Sequence, residues 1–323
     1  TLRTSSAASD VYKRQVIGFG AGEPDFPTPE YVIKDVQVAA EDPANHKYSA
    51  VAGLNVLKDE IVRTSKLYSG IEVDQENIVV SNGGKHAILT TFMSLLNPGD
   101  EVLIPSPYWT TYPEAVKISG GNPIIVDTEF DDDFKINIDQ LEALKTNKTK
   151  ILVWVSPSNP TGVVYTKEEA EKIYNWAFDN DIWILSDELY EHLVYEGVTS
   201  PSPAQYDKTL KKTIVINGVA KAYSMTGWRV GWIIANTEVI DMAKKIQSHA
   251  TSNVSNLSQI AAYSALKNGL NETNKMKESF NRRRLNAIDK FSQIENVNLI
   301  KSTGAFYLFL SLIHISEPTR LSW

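Results

Sequence analysis

The sequence predicts an α/β protein built on a largely parallel sheet with helices on both faces. Three observations carry that expectation. Short β-branched runs recur along the chain, helix-length stretches separate most of them, and the chemically unusual residues fall just past the run ends. Continuously apolar runs, rather than alternating ones, are what strands covered on both faces require.

Strands are expected at Ile78–Val80, Glu101–Ile104, Pro123–Val126, Ile151–Val155, Ile182–Leu185, Thr213–Ile216 and Trp232–Ile234. Helical stretches at Lys85–Leu96, Tyr108–Ser119, Ile138–Thr146 and Lys167–Asn180 lie between several of them. Upstream, a Gly/Pro-rich loop ends at Phe26, and Pro27–Glu30 introduces a helix over Tyr31–Ala40, with Pro near its start and Glu in its first turn. A loop carrying Tyr48 and Gly53 leads into a second helix, Leu54–Tyr68. The link from Val219 to Trp232 is too short for a full crossover helix, so the last strand is expected to run antiparallel to its neighbour. Helical patterns then cover Val254 to Asn268 and Glu272–Phe291, and the second is long enough to join two domains. Val297–Phe309 reads as strands opening a second unit, and the basic cluster Arg282–Arg284 as a solvated helix face.

The two ends read differently from the rest. Asp10–Gln15 spells DVYKRQ and Leu310–Ile315 spells LSLIHI, and DNA encoding the first is, on its other strand, DNA encoding the second. The expected organisation is therefore an adapter-derived segment at 1–15, an N-terminal segment at 16–30, a large domain at 31–271, a linker helix with the start of a small domain at 272–309, and a second adapter-derived segment at 310–323.

Composition narrows the function. A hydrophobic share of 42% and a charged share of 22% are ordinary for a globular chain with a real core. The net charge of −7 argues against a nucleic-acid partner, and no apolar run is long enough to span a membrane. The chain has no cysteine, which excludes disulfides and thiolate catalysis, and its five histidines are scattered without ligand spacing, so no metal site is expected. A cytoplasmic enzyme is the plain expectation.

The chemistry gathers at the strand ends. Gly83, Gly84 and Lys85 follow the first strand, Trp109 the second, Asn159 the fourth, Asp187 and Tyr190 the fifth, and Lys221 the sixth. Open α/β sheets bind ligands at the carboxyl ends of their strands. Gly83 and Gly84 at a helix start offer amide N–H groups to a phosphate, and Arg229 adds a bidentate cation. Trp109 offers a face for an aromatic ring. Asp187, just after a buried strand, wants a cationic partner such as a pyridinium nitrogen, while Asn159 and Tyr190 can hydrogen-bond a ring oxygen. Lys221, among small and apolar residues, suits a Schiff-base amine. Each residue alone has a structural explanation: a turn, a core tryptophan, a helix cap, a surface lysine. Together they describe the groups of pyridoxal 5′-phosphate.

Several motifs carry a resemblance. Gly22-Glu-Pro-Asp-Phe-Pro-Thr-Pro29, Tyr48 with Ala52 and Gly53, Ser81-Asn-Gly-Gly-Lys85, Ser158-Asn-Pro-Thr-Gly162, Ser186-Asp-Glu-Leu-Tyr190, Lys221-Ala-Tyr-Ser-Met-Thr-Gly-Trp-Arg229 and Gly304-Ala-Phe-Tyr307 resemble the class I/II aminotransferases, with bacterial aspartate aminotransferases the nearest match. The resemblance implies fold type I, a mixed sheet of about seven strands, a small α+β domain made from both chain ends, and a homodimer with shared active sites. It implies that Lys221 forms the Schiff base and moves the proton, that Asp187 keeps the ring nitrogen protonated, and that Asn159 and Tyr190 tune the ring oxygen. Arg229 and Gly83–Lys85 would grip phosphate, with Tyr48 reaching in from the other subunit. Trp109 would stack on the ring, and Gly22 would lie near the substrate carboxylate. Lys85 would meet the distal carboxylate of aspartate or glutamate. The family's α-carboxylate arginine is expected beyond Phe309, and Arg320 is not assigned that role, so the chain as given is expected to bind the cofactor with impaired transaminase activity. An aminotransferase for aromatic or other amino acids, a carbon–sulfur β-lyase on the same scaffold, and the effector domain of a transcription regulator stay open as alternatives.

Overall fold

The structure, a computed structural model, describes residues 20–295 and 297–312. Its centre is a seven-stranded sheet of β1 (Ile78–Ser81), β2 (Glu101–Pro105), β3 (Asn122–Val126), β4 (Thr149–Val155), β5 (Trp183–Asp187), β6 (Thr213–Gly218) and β7 (Gly231–Ile234), in the order β1-β7-β6-β5-β4-β2-β3. All neighbours from β6 to β3 run parallel. β7 runs antiparallel to both β6 and β1, as the short link from Val219 to Trp232 predicted.

Period-two alternation sorts the side chains onto the two faces. Val79, Val102, Ile104, Ile151, Val153, Leu185, Ile214, Ile216 and Ile233 point to one face. There they meet α3 (Gly84–Leu95), α4 (Thr111–Ile118) and α7 (Thr237–Ala250). Ile78, Val80, Val215, Trp232 and Ile234 point the other way, onto α1 (Glu30–Ala39), α2 (Asn55–Thr64) and α8 (Asn256–Lys267). Leu103, Leu152, Trp154 and Ile184 do the same beneath α5 (Ile138–Leu144) and α6 (Lys167–Asp179). Burying each such side chain stabilises by roughly 1.5–3 kcal/mol, so the central strands are the least movable part of the molecule and a rigid base for their own carboxyl ends.

Three features depart from expectation. No helix was anticipated between Ile234 and Val254, yet α7 fills the gap, capped by the Asn236 side chain, which accepts from the Val239 N–H at 3.1 Å. Its buried stripe is Val239, Ile240, Ala243 and then Gln247, so the apolar periodicity is thin. Gln247 is fully buried because its amide donates to the Val51 and Val80 carbonyls, each at 2.8 Å. Second, the helix expected over Leu54–Tyr68 ends as α-helix at Thr64 and closes with one wider turn over Ser65–Ser69. Third, Arg282–Arg284 is not a uniformly solvated face. Arg284 is buried, donating to the Ser302 carbonyl and to Glu196 at 2.6 Å each, while the exposed Arg283 pairs with Asp25 at 2.7 Å and the exposed Arg282 donates only to the Ser279 hydroxyl one turn back, at 3.0 Å.

These arginines lie on α9 (Asn271–Phe291), a helix of 21 residues that carries the chain away from the sheet. Past it, β8 (Val297–Leu299) pairs antiparallel with β9 (Leu310–Leu312). The loop between them returns to the segment that follows β5, where Gly304 bridges to Val194. Of the segments read as adapter-derived, 1–15 lies outside the described residues, and of 310–323 only Leu310–Leu312 is described. Arg320 lies outside as well. No helix among the described residues is long and apolar enough to cross a membrane.

Candidate active site

A cavity of about 530 Å³ opens at the carboxyl ends of β4, β5 and β6. Gly22, Gly84, Lys85, Trp109, Asn159, Asp187, Tyr190, Lys221 and Arg229 all line it, so the structure brings together most of the residues singled out from sequence. Gly83 stands directly behind, against the Arg229 guanidinium. Tyr48 does not join them: it is 91% exposed and outside the cavity lining.

Lys221 lies in the connection that leaves β6 and turns back into β7. Its ammonium donates to the Gly22 carbonyl and stands 5.7 Å from the Tyr190 ring and 5.8 Å from the Phe306 ring. Burial pushes its pKa down, and Arg229 adds to the effect, while Asp187 and Glu23 oppose it. An amine held toward its neutral form is a nucleophile.

Asp187 ends β5 and is 3% exposed. Burial raises its pKa, offset by two donors: the Tyr112 hydroxyl at 2.7 Å and the Leu189 N–H at 3.2 Å. Among the described residues no cation forms an ion pair with it. The next carboxyl, Glu188, is also buried, accepting from the Ser186 and Ser202 hydroxyls. Burial, with Glu191 adding, pushes Glu188 up to about 8. Asp187 is therefore the carboxylate of this strand end most able to serve a cation in the cavity.

The phosphate-binding character comes from α3 and Arg229. At the start of α3 the Gly83 N–H donates to the Ser81 carbonyl at 2.7 Å and the His86 N–H to the Gly83 carbonyl at 3.1 Å, which leaves the Gly84 and Lys85 amides for an anion. Gly83 caps it at φ +81, and a methyl group there would lie 2.6 Å from an Arg229 nitrogen. Only glycine suits both the backbone and that approach. Arg229 itself adopts a left-handed conformation (φ 56) and is held by the Thr226 carbonyl at 3.1 Å and the Asn82 carbonyl at 3.4 Å, leaving its remaining N–H groups to the cavity. Lys85, one residue into α3, sits 5.0 Å over the Trp109 ring. Asn159 is carried by a tight turn in which the Gly162 N–H donates to the Ser158 carbonyl at 3.0 Å. An anion site, an aromatic face, a buried carboxylate lacking a cation and a neutral-leaning lysine in one cavity fit the phosphate, ring, ring nitrogen and aldehyde of pyridoxal 5′-phosphate.

Three lining residues escaped the sequence reading: Tyr112, Tyr307 and Glu23. Tyr112 stands three positions after Trp109 at the start of α4, a spacing that was available as a signal. Tyr307 sits inside a motif quoted for the resemblance without a role, and its hydroxyl lies 2.5 Å from that of Tyr190. Glu23 accepts from the Thr226 hydroxyl at 3.0 Å.

The sequence matches the profile of the family "Aminotransferase class I and II" over residues 14–317. It is 47% identical over 300 residues to an aspartate aminotransferase of Streptomyces avermitilis, covering 93% of this chain and 74% of that protein. The chain belongs to the class I and II aminotransferases. This aminotransferase is also 41% identical over 322 residues to the aspartate aminotransferase of a Bacillus species, covering 99% of its own length and 82% of the relative. Its fold superposes on the crystal structure of an aspartate aminotransferase from Rhizobium meliloti with a TM-score of 0.92 at 35% identity, covering 96% of this aminotransferase and 78% of that chain. The mixed sheet and its flanking helices are those of fold type I.

Proposed function

We propose that this aminotransferase binds pyridoxal 5′-phosphate through Lys221 and moves the amino group of aspartate to 2-oxoglutarate. The observation that carries the reading is the partly buried Lys221 amine in one cavity with Asp187, Arg229 and Lys85. The cofactor, bound there, supplies an electron sink for the pair left at the substrate α-carbon. Lys221 Nζ would be the base that takes the proton from that carbon and holds it for return. Asp187 would hold a proton on the ring nitrogen, and Asn159 and Tyr190 would hydrogen-bond the ring oxygen. Arg229 and the Gly83–Lys85 backbone would hold the phosphate, and Trp109 would stack on the ring. Gly22 borders the substrate carboxylate. Lys85, exposed beside Trp109, supplies the cation for a second carboxylate on the substrate. The names of the relatives, aspartate aminotransferases, support the acidic substrate.

The protein acts as a cytoplasmic homodimer in which Tyr48 reaches the partner's phosphate site. Residues 31–271 form the cofactor domain, and 272–309 begin the smaller one.

The test is the purified protein with the cofactor. The wild type should show the absorbance of lysine-bound pyridoxal phosphate and an adduct fixed by borohydride, and Lys221→Ala should lose both. An unchanged spectrum in the variant removes the assignment. Aspartate with 2-oxoglutarate should yield oxaloacetate, whereas pyruvate with ammonia would make the enzyme a β-lyase.

A further inference from the structure

The cavity holds two tyrosines bonded to each other, and only Tyr190 has a role so far. The hydroxyl oxygens of Tyr190 and Tyr307 are 2.5 Å apart, with the rings 5.6 Å apart at 71°. Tyr190 follows β5, whereas Tyr307 arrives from beyond α9, 117 positions later. Its segment is fixed on three sides. The Thr303 and Gly304 N–H groups donate to the Gly162 carbonyl at 3.1 and 2.8 Å, in the turn that carries Asn159. The Ala305 N–H donates to the Leu193 carbonyl at 2.8 Å. The Phe306 ring lies against Tyr190 at 5.5 Å and Phe280 at 5.3 Å. Gly22 leaves room for the hydroxyl, since a methyl group there would come within 2.6 Å of it.

Burial raises the pKa of both phenols, so the pair keeps two protons at neutral pH. One proton bridges the oxygens and the other is free. Either hydroxyl can be the donor. If Tyr190 donated to Tyr307, it would have no proton left for a ring oxygen in the cavity. If Tyr307 donates to Tyr190, the Tyr190 proton is free to point into the cavity, and the bond it makes there is strengthened by the donor behind it.

We propose that Tyr307 is a positioning residue whose hydroxyl donates to Tyr190, and so aims and strengthens the hydrogen bond that Tyr190 offers to the cofactor's ring oxygen. This rests on the reading of Lys221 and pyridoxal phosphate given above. A donor at that oxygen stabilises its anion and lowers the basicity of the lysine-linked nitrogen beside it. The titratable groups facing the pair are Asp187 at the end of β5, Tyr112 on α4 and Lys221 on the β6–β7 connection, and a change at Tyr307 leaves all three in place.

The experiment follows the absorbance of lysine-bound cofactor against pH in the full chain, comparing the wild type with Tyr307→Phe, Tyr190→Phe and the double variant. Phenylalanine keeps the ring packing against Phe306 and removes only the hydroxyl. The midpoint should rise by about 0.3–1 pH unit in Tyr307→Phe. It should rise further in Tyr190→Phe, and adding Tyr307→Phe to Tyr190→Phe should change nothing. A wild-type midpoint retained in Tyr307→Phe overturns the inference alone, as does an equal shift with or without Tyr190. A wild type that shows no cofactor absorbance overturns the cofactor reading and this inference with it.

Discussion

Asp187 is costly to bury, and the structure offsets that cost with two donors rather than with a cation. A carboxylate so placed would gain from any cation bound in the cavity what it lacks in the free protein. Its folded pKa is raised, so its contribution to stability is complete below the ordinary carboxylate value of 3.8 and is lost as pH rises through the folded value. The Tyr112 hydroxyl limits that loss, because its bond favours the ionised form. Tyr112→Phe in the cofactor-free protein should therefore be destabilised by about 1.5–3 kcal/mol near neutral pH, and by clearly less near pH 5, where Asp187 is more protonated. Urea unfolding at the two pH values measures this, and an equal loss at both would mean that the phenol only packs. Asp187, Lys221 and Arg229 were readable in the sequence because charged groups beside buried strands have few structural uses. Tyr112 and Tyr307 were not, because a tyrosine near a glycine or a helix start is ordinary core material until its hydroxyl is placed. Tyr307 comes within reach of Tyr190 only through the return of the chain after α9.

At the scale of elements, the strands were legible because burial on both faces demands unbroken apolar runs, which few other structures use. The antiparallel β7 was legible from chain length alone. α7 was hidden because Gln247, a polar residue, fills its last core position by bonding two carbonyls. The same ambiguity misplaced Arg284, since an arginine triplet on a long helix normally faces water. In the structure Arg284 ties α9 to the Ser302 carbonyl and to Glu196, and its guanidinium lies 4.9 Å over the Tyr195 ring. Those contacts tie the segment that leads to Tyr307 back onto the helix. Arg284→Ala should cost about 2–4 kcal/mol, because it opens a buried gap and strands the Ser302 carbonyl. Arg282→Ala should stay within about 0.5 kcal/mol of the wild type. Denaturant midpoints of the two variants decide it, and equal values would return the whole triplet to the solvated face.

At the scale of the whole molecule, the cavity is open on the side of Lys85 and Arg229, both exposed, and Tyr48 stands apart from it. The backbone around Tyr48 is nonetheless well anchored. The Ser49 hydroxyl donates to Asn256 at 2.6 Å, and the Asn256 amide donates to the Lys47 carbonyl at 2.9 Å. A large aromatic side chain held into solvent by a fixed loop suits contact with another molecule. If that molecule is a second copy, Tyr48 and Lys221 of one chain serve different sites. Tyr48→Ala lacks the phosphate contact at both sites of its homodimer, and Lys221→Ala lacks the amine at both. Unfolding and refolding the two variants together creates mixed dimers, in which one site carries both changes and the other carries neither. With random pairing, about half the dimers are mixed and each keeps one intact site, so activity at limiting cofactor should recover to roughly a quarter of the wild type. Recovery no greater than the average of the two parents would place Tyr48 at its own subunit's site, or at none, and would leave the sharing of sites without support.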